Sequence, residues 1–185
     1  MCALALAASC GAASPKPTAS ASSAAGPSAT AYYPLAVGNS WTYEVTSAGS
    51  SRRDTVQIVG RDGPWFLDDH RGRFRAEPDG IRDADRYLLR TPLTPGAKWT
   101  AVENLVVQRF EVVSTDAQVA TRAGNFDGCV VVRNEQPLER GRGKYVTEWT
   151  YAPRVGLARL LTQTISSSGT SQDQVKLELI SYNVK

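Results

Sequence analysis

One imidazole is available for chemistry in this chain, His70, and it directly follows Asp68 and Asp69. Three potential ligands in a row invite a metal-binding reading. In an extended segment, however, neighbouring side chains point to opposite faces, so Asp68 and His70 could share an ion and Asp69 could not join them. Two ligands at one hairpin end fall short of the three or four that a zinc site uses, and a solvated strand end is the better reading. Cys129 lies in FDGCVVV, among β-branched residues, where a thiol packs as a small hydrophobe. As a nucleophile it would need the sole histidine from a distant strand. The patterns G-x-S-x-G, S-x-x-K and H-E-x-x-H do not occur, and Gly141-Arg142-Gly143 precedes no helix, as a phosphate loop must. Asp83 and Asp85 flank an expected hairpin, where aspartate serves the turn. The expectation is a non-catalytic protein with no metal and no cofactor.

Charge is equally undirected. Lys and Arg number 21 against 18 Asp and Glu, a net +3, which implies no nucleic-acid partner. The run HRGRFR would place Arg71, Arg73 and Arg75 on one side of an extended segment, with Phe74 on the other. That is a thin phosphate strip and a good solvated strand face.

The N-terminus is more specific. MCALALAASCGAASPKP carries a short apolar stretch into small residues and then Cys10. Leu6, Ala7, Ala8, Ser9 and Cys10 resemble the lipobox of bacterial lipoprotein signals, in which the cysteine sulfur receives a diacylglycerol and becomes the new N-terminus. The match departs from the pattern in having Ala7 where a bulky residue is usual and in lacking a basic n-region, as a misplaced or truncated start would explain. An ordinary Ala-rich unstructured terminus, or a secreted chain cleaved near Ala13, are the competing readings. Residues 11–31 are almost wholly Ala, Ser, Pro, Thr and Gly, with no side chain large enough to repay ordering, and read as a flexible tether. The chain therefore divides into a signal remnant (1–9), a lipidated Cys10 with its tether (10–31) and one domain (32–185). Cys129 is left without a disulfide partner. The resemblance implies a bacterial envelope location, anchored at the outer membrane or another extracytoplasmic face, with palmitate or a similar acyl chain as the anchor.

Within the domain nearly every segment reads as strand. SWTYEV and KYVTEWTYA alternate large and polar residues, and DTVQIVG, PWFLDDH, DRYLLRT, VVQRFEVVS, CVVVRNE and LARLLTQTI supply β-branched and aromatic residues at strand lengths. Turn signals recur between them, including Asp62-Gly63-Pro64, Pro78-Asp79-Gly80 and Ser168-Gly169. The fold class is all-β, a long antiparallel meander forming a strongly curved sheet or half-barrel, with little or no helix beyond the signal segment. In QVKLELISYNV the apolar face changes sides near Leu179-Ile180, which requires a bulge there or burial of both faces.

One phrase occurs twice. Pro-Leu-x-x-Gly-x-x-Trp-Thr spans residues 34–42 and again 92–100. In each copy proline fixes an extended approach, Gly38 or Gly96 permits a turn, and Trp41 or Trp99 lands at the first inward position of a strand. Beyond the tryptophan the copies diverge, Tyr43 and Val45 facing Ala101 and Glu103 at matching positions. The phrase reads as a strand-starting device used twice rather than as a duplicated domain.

The opening YYPLAVGNSWTYEV, the later AGNFDGCVVV and the close TYAPRVGLARL together resemble a group of uncharacterised bacterial secreted lipoproteins, the TapB-like group. The resemblance covers about residues 32–183 and rests on structural residues, with no catalytic motif to transfer. It implies a curved antiparallel sheet comparable to those of periplasmic lipoprotein carriers. Two functions follow as expectations. A carrier or sensor would hold a hydrophobic small molecule against Trp41, Tyr43, Trp99, Trp149 and Tyr151. A structural or interaction module would instead meet an envelope protein through a strand edge, its aromatics simply filling a core.

Overall fold

The computed structural model describes residues 27–185; Cys10, the signal remnant and most of the tether lie outside the described residues. A 3₁₀ turn at Ala29–Ala31 leads in, and Ala29 is buried, so these residues already belong to the packed chain. Six strands follow: β1 (Ser40–Ser47), β2 (Ser50–Asp62), β3 (Trp65–Asp68), β4 (Arg73–Glu77), β5 (Gly80–Arg82) and β6 (Tyr87–Arg90). A second six complete the domain: β7 (Lys98–Glu103), β8 (Val106–Thr121), β9 (Gly124–Pro137), β10 (Gly143–Ala152), β11 (Gly156–Ser166) and β12 (Ser171–Asn183).

All twelve form one antiparallel sheet in which each strand pairs with its sequence neighbour, β12 returns to pair with β1, and only β6 and β7 are left as edges. The all-β meander expected from the sequence is what forms, and its curvature carries it almost to closure as a barrel. Side chains join the two edges where no ladder does. Trp99 of β7 donates its indole N–H to the Tyr87 carbonyl of β6 at 3.1 Å, and Ile81 and Leu89 pack with Trp99 and Phe110 in one core.

Both copies of the repeated phrase build the same local structure. Asn39 N–H donates to the Ala36 carbonyl at 3.1 Å and Ala97 N–H to the Thr94 carbonyl at 3.0 Å, closing a four-residue turn in each copy. Its third residue is Gly38 (φ +94°) or Gly96 (φ +87°), a conformation that a Cβ would strain. Each glycine then donates to the strand that pairs with the coming one, Gly38 to Ile58 and Gly96 to Val112, both at 2.8 Å. Ile58 and Val112 return the bond to Asn39 and Ala97.

The apolar face of β12 does change sides through a bulge. Thr42 faces Ser181 and Tyr43 faces Leu179, so Ile180 is the extra residue. Two packed cores result. One gathers Leu93, Trp99, Phe110, Val112, Val132 and Tyr151; the other gathers Trp41, Tyr43, Ile58, Val119, Cys129 and Leu179.

Candidate functional site

Strand length decides which part of the barrel interior is covered. β3 to β6 are three to five residues long, whereas β8 to β12 run from 10 to 16. The short strands roof the inner face of β7 to β9, where Ile81 and Leu89 pack with Trp99 and Phe110, and along the rest of the long strands the inward side chains form a trough that is only partly covered. One row of inward side chains records the transition. Register places Val112, Val132, Trp149, Leu160, Leu177 and Val45 side by side across β8, β9, β10, β11, β12 and β1. Val112 and Val132 are fully buried, but Trp149, Leu160, Leu177 and Val45 remain partly open to solvent.

Towards the free end of the trough the next inward rows turn polar. Thr147 and Thr162 share a hydroxyl hydrogen bond at 3.1 Å. Asn134 donates to the Arg109 carbonyl at 2.8 Å, and Gln136 donates to the side chain of Gln108. The floor of the trough is thus amphipathic, aliphatic on β11, β12 and β1 and amide-bearing on β8 and β9.

The five aromatic residues expected to form a ligand wall do not share one environment. Trp41, Tyr43, Trp99 and Tyr151 are buried, and only Trp149 reaches the trough. Trp41 donates its indole N–H to the Val155 carbonyl at 2.6 Å, and Tyr43 donates its hydroxyl to the Leu157 carbonyl at 3.1 Å. Trp99 stacks on Phe110, with centroids 5.6 Å apart, and Phe110 in turn contacts Trp149. Burial holds the Tyr43 and Tyr151 hydroxyls well above the ordinary tyrosine pKa.

Sequence reasoning missed Arg86. It follows the turn Asp83-Ala84-Asp85 between β5 and β6, whose Asp83 Oδ1 accepts the N–H groups of Asp85 at 2.8 Å and Arg86 at 2.7 Å. That turn tips Arg86 into the barrel. Its guanidinium lies over the rings of Phe110 and Trp149, 5.0 and 4.8 Å from their centroids. The side chain is 20 % exposed, a cation at the edge of the roof where the trough begins. The motif D-x-D-R signals a turn, but nothing in it tells which way the turn leans.

The residues weighed for chemistry are engaged in structure. Asp68 Oδ1 accepts the N–H of His70 at 3.0 Å and that of Gly72, and His70 Nε2 lies 3.7 Å from Asp54. Among the described residues no three His, Cys, Asp or Glu side chains converge as a metal site would need. Cys129 is buried, its thiol pushed up to about 11 by desolvation and then by Asp127, and it donates to the Phe126 carbonyl. Arg71 sits in a turn at φ +69°, and Arg73 and Arg75 stack on Trp65, so the expected three-arginine face does not form. A groove of about 650 Å³ does lie on the outer face of β7 to β9, with Lys98, Arg109, Glu111 and Arg133 among its lining. Most of its charges are cross-strand ion pairs, Lys98 with Glu111 at 3.3 Å and Arg133 with Glu148 at 2.6 Å, as a solvated strand face carries.

No known family model and no curated protein sequence matches the chain. Two solved structures are similar in shape. One is a protein from Bacteroides fragilis assigned as exported and as having a YmcC-like fold: 14 % identity, TM-score 0.52, 82 % of this chain and 98 % of that one. The other is a protein from Parabacteroides distasonis assigned as a lipoprotein, at 12 % identity and TM-score 0.45 over the same shares. At such identity the likeness to the Bacteroides fragilis protein is one of fold.

Proposed function

We propose that this chain is a lipid-anchored, non-catalytic protein of the bacterial cell envelope that holds a hydrophobic ligand in the trough of its curved sheet. The observation that carries it is the inward row whose Trp149, Leu160, Leu177 and Val45 stay partly open to solvent while Val112 and Val132 are buried. An apolar floor left partly open next to a packed core suits an acyl chain or similar cargo. The lipobox-like Cys10 supplies the anchor, the TapB-like resemblance supplies the secreted-lipoprotein setting, and the description of the Bacteroides fragilis neighbour as exported agrees with it. Native mass spectrometry of the chain from its host, followed by organic extraction, tests the cargo. A co-purifying lipid near unit stoichiometry, lost in folded Leu177→Asn, is the expected result; a clean apo mass that stays clean against offered lipids refutes it.

One observation favours a second reading, an envelope protein-interaction module. The β7–β8 hairpin tip exposes Val102, Val106 and Val107, and its Leu105 is 97 % exposed at φ +65°, where Gly or Asn is usual. Crosslinking in intact cells from a photoreactive residue at position 105 would capture a specific protein if this reading holds.

A further inference from the structure

The reading of the trough as a ligand site leaves the nature of the ligand's polar end open, and Arg86 bears on it. The Nε side of its guanidinium faces Asp83 Oδ2 at 3.8 Å, while its two terminal amino groups have no hydrogen-bond partner among the described residues. Tyr151 lies two residues beyond Trp149 on the same strand face, and neither its hydroxyl nor that of Tyr33 has a hydrogen-bond partner among the described residues. The Tyr151 ring is buried, and that burial holds its hydroxyl well above the ordinary tyrosine pKa. The charge of Arg86 acts on the Tyr151 hydroxyl, lowering its pKa against the larger upward push of burial. The roof edge therefore presents one guanidinium whose terminal amino groups are free among the described residues. Asp83 Oδ1 is occupied by its own turn, so this carboxylate reaches Arg86 only through Oδ2, on the Nε side.

Resting on the trough reading, we propose that the ligand is an anionic amphiphile whose carboxylate or phosphate is bound by Arg86, its chain lying across Trp149, Leu160, Leu177 and Val45. Aromatic faces on one side of Arg86 fix the guanidinium plane, so an anion meets a pre-set fork rather than a mobile side chain. The aliphatic row begins at Trp149, one of the two rings on which Arg86 rests, so head and tail sites are contiguous.

Calorimetric titration of the delipidated full chain with dodecanoate, dodecyl phosphate, dodecanol and inorganic phosphate, all below micelle formation, separates the possibilities. Expected is binding of both dodecyl anions at least about tenfold tighter than dodecanol, a preference abolished in Arg86→Gln and partly kept in Arg86→Lys. Asp83→Asn, which keeps the turn's acceptor and removes a competing charge, should tighten the anions severalfold and leave dodecanol unchanged. Circular dichroism melts show which variants remain folded; should Arg86→Gln unfold, the Asp83→Asn tightening decides. Equal binding of dodecanol and dodecanoate would overturn the head-group assignment and leave the trough reading standing. Inorganic phosphate bound as tightly as dodecyl phosphate would overturn the amphiphile in favour of a soluble anion. No binding of any dodecyl compound would overturn both the proposal and the trough reading.

Discussion

Trp41 and Trp99 begin from the same nine-residue phrase, the same turn and the same pair of backbone bonds to the neighbouring strand, and then hold different things together. Trp41 reaches the Val155 carbonyl at the β10–β11 turn, inside a part of the barrel where every strand already has two ladder partners. Trp99 reaches the Tyr87 carbonyl across the one gap where no ladder runs. One local device thus reinforces in the first copy and closes in the second. The strands after each copy differ accordingly. Those after Trp41 shrink to three to five residues from β3 onwards, and those after Trp99 lengthen to ten or more from β8 onwards. A barrel built from one short and one long half is roofed at one end and more open at the other, and the more open part is where the proposed ligand would lie.

Removing either indole is the severest test of the comparison. Trp41→Ala and Trp99→Ala should each lose about 3–5 kcal/mol in denaturant titrations, because both side chains are buried and large. A loss under 1 kcal/mol at either site would mean that its core collapses freely around the gap. Gly38→Ala and Gly96→Ala should cost similar amounts, roughly 1 kcal/mol each, since both force a side chain into the left-handed region. Unequal losses would break the claim that the two turns are equivalent.

Trp41→Phe and Trp99→Phe isolate the indole donors, at about 1 kcal/mol each. Here the copies should part. Hydrogen exchange should quicken selectively through residues 87–90 in Trp99→Phe, because β6 loses its tie to β7, and Trp41→Phe should leave those amides protected. Cys129 supplies a probe of the long half by itself. With its thiol held at about 11 and buried, alkylation at pH 8 should be far slower than for a free cysteine and should track global opening.

The smallest effect concerns the outer face of β12. A hydrogen bond from Lys176 leads the causes that lower the Glu178 pKa, with burial opposing. A depressed carboxylate pKa adds stability above the unfolded value, and that stability is lost as pH falls through the folded value. Lys176→Met should therefore flatten the acid limb of the stability curve by only a few tenths of a kcal/mol, the pair being solvent-screened.

Much of this was legible in the residues. Alternation in SWTYEV and KYVTEWTYA set the strands, the phrase set two turns, Asp83 marked a hairpin, and the change of sides in QVKLELISYNV located the bulge at Ile180. These features are local, fixed by φ preferences, side-chain period and neighbouring hydrogen bonds, which a sequence carries directly. The candidate site was legible only as a set of inward aromatics. Alternation says that Trp41, Tyr43, Trp99, Trp149 and Tyr151 point inward, but whether an inward ring is core or surface depends on what lies opposite it. That is settled by how far the short strands extend across the barrel, a relation between residues distant in the chain. Arg86 shows the same limit from the polar side. Its turn follows from Asp83, whereas its place over Phe110 and Trp149 exists only because curvature brings β5 and β6 above β8 and β10. The sequence by itself determined the strands, their turns and their inward faces; the closing of the sheet decided which of those faces is a packed interior and which remains a partly open trough.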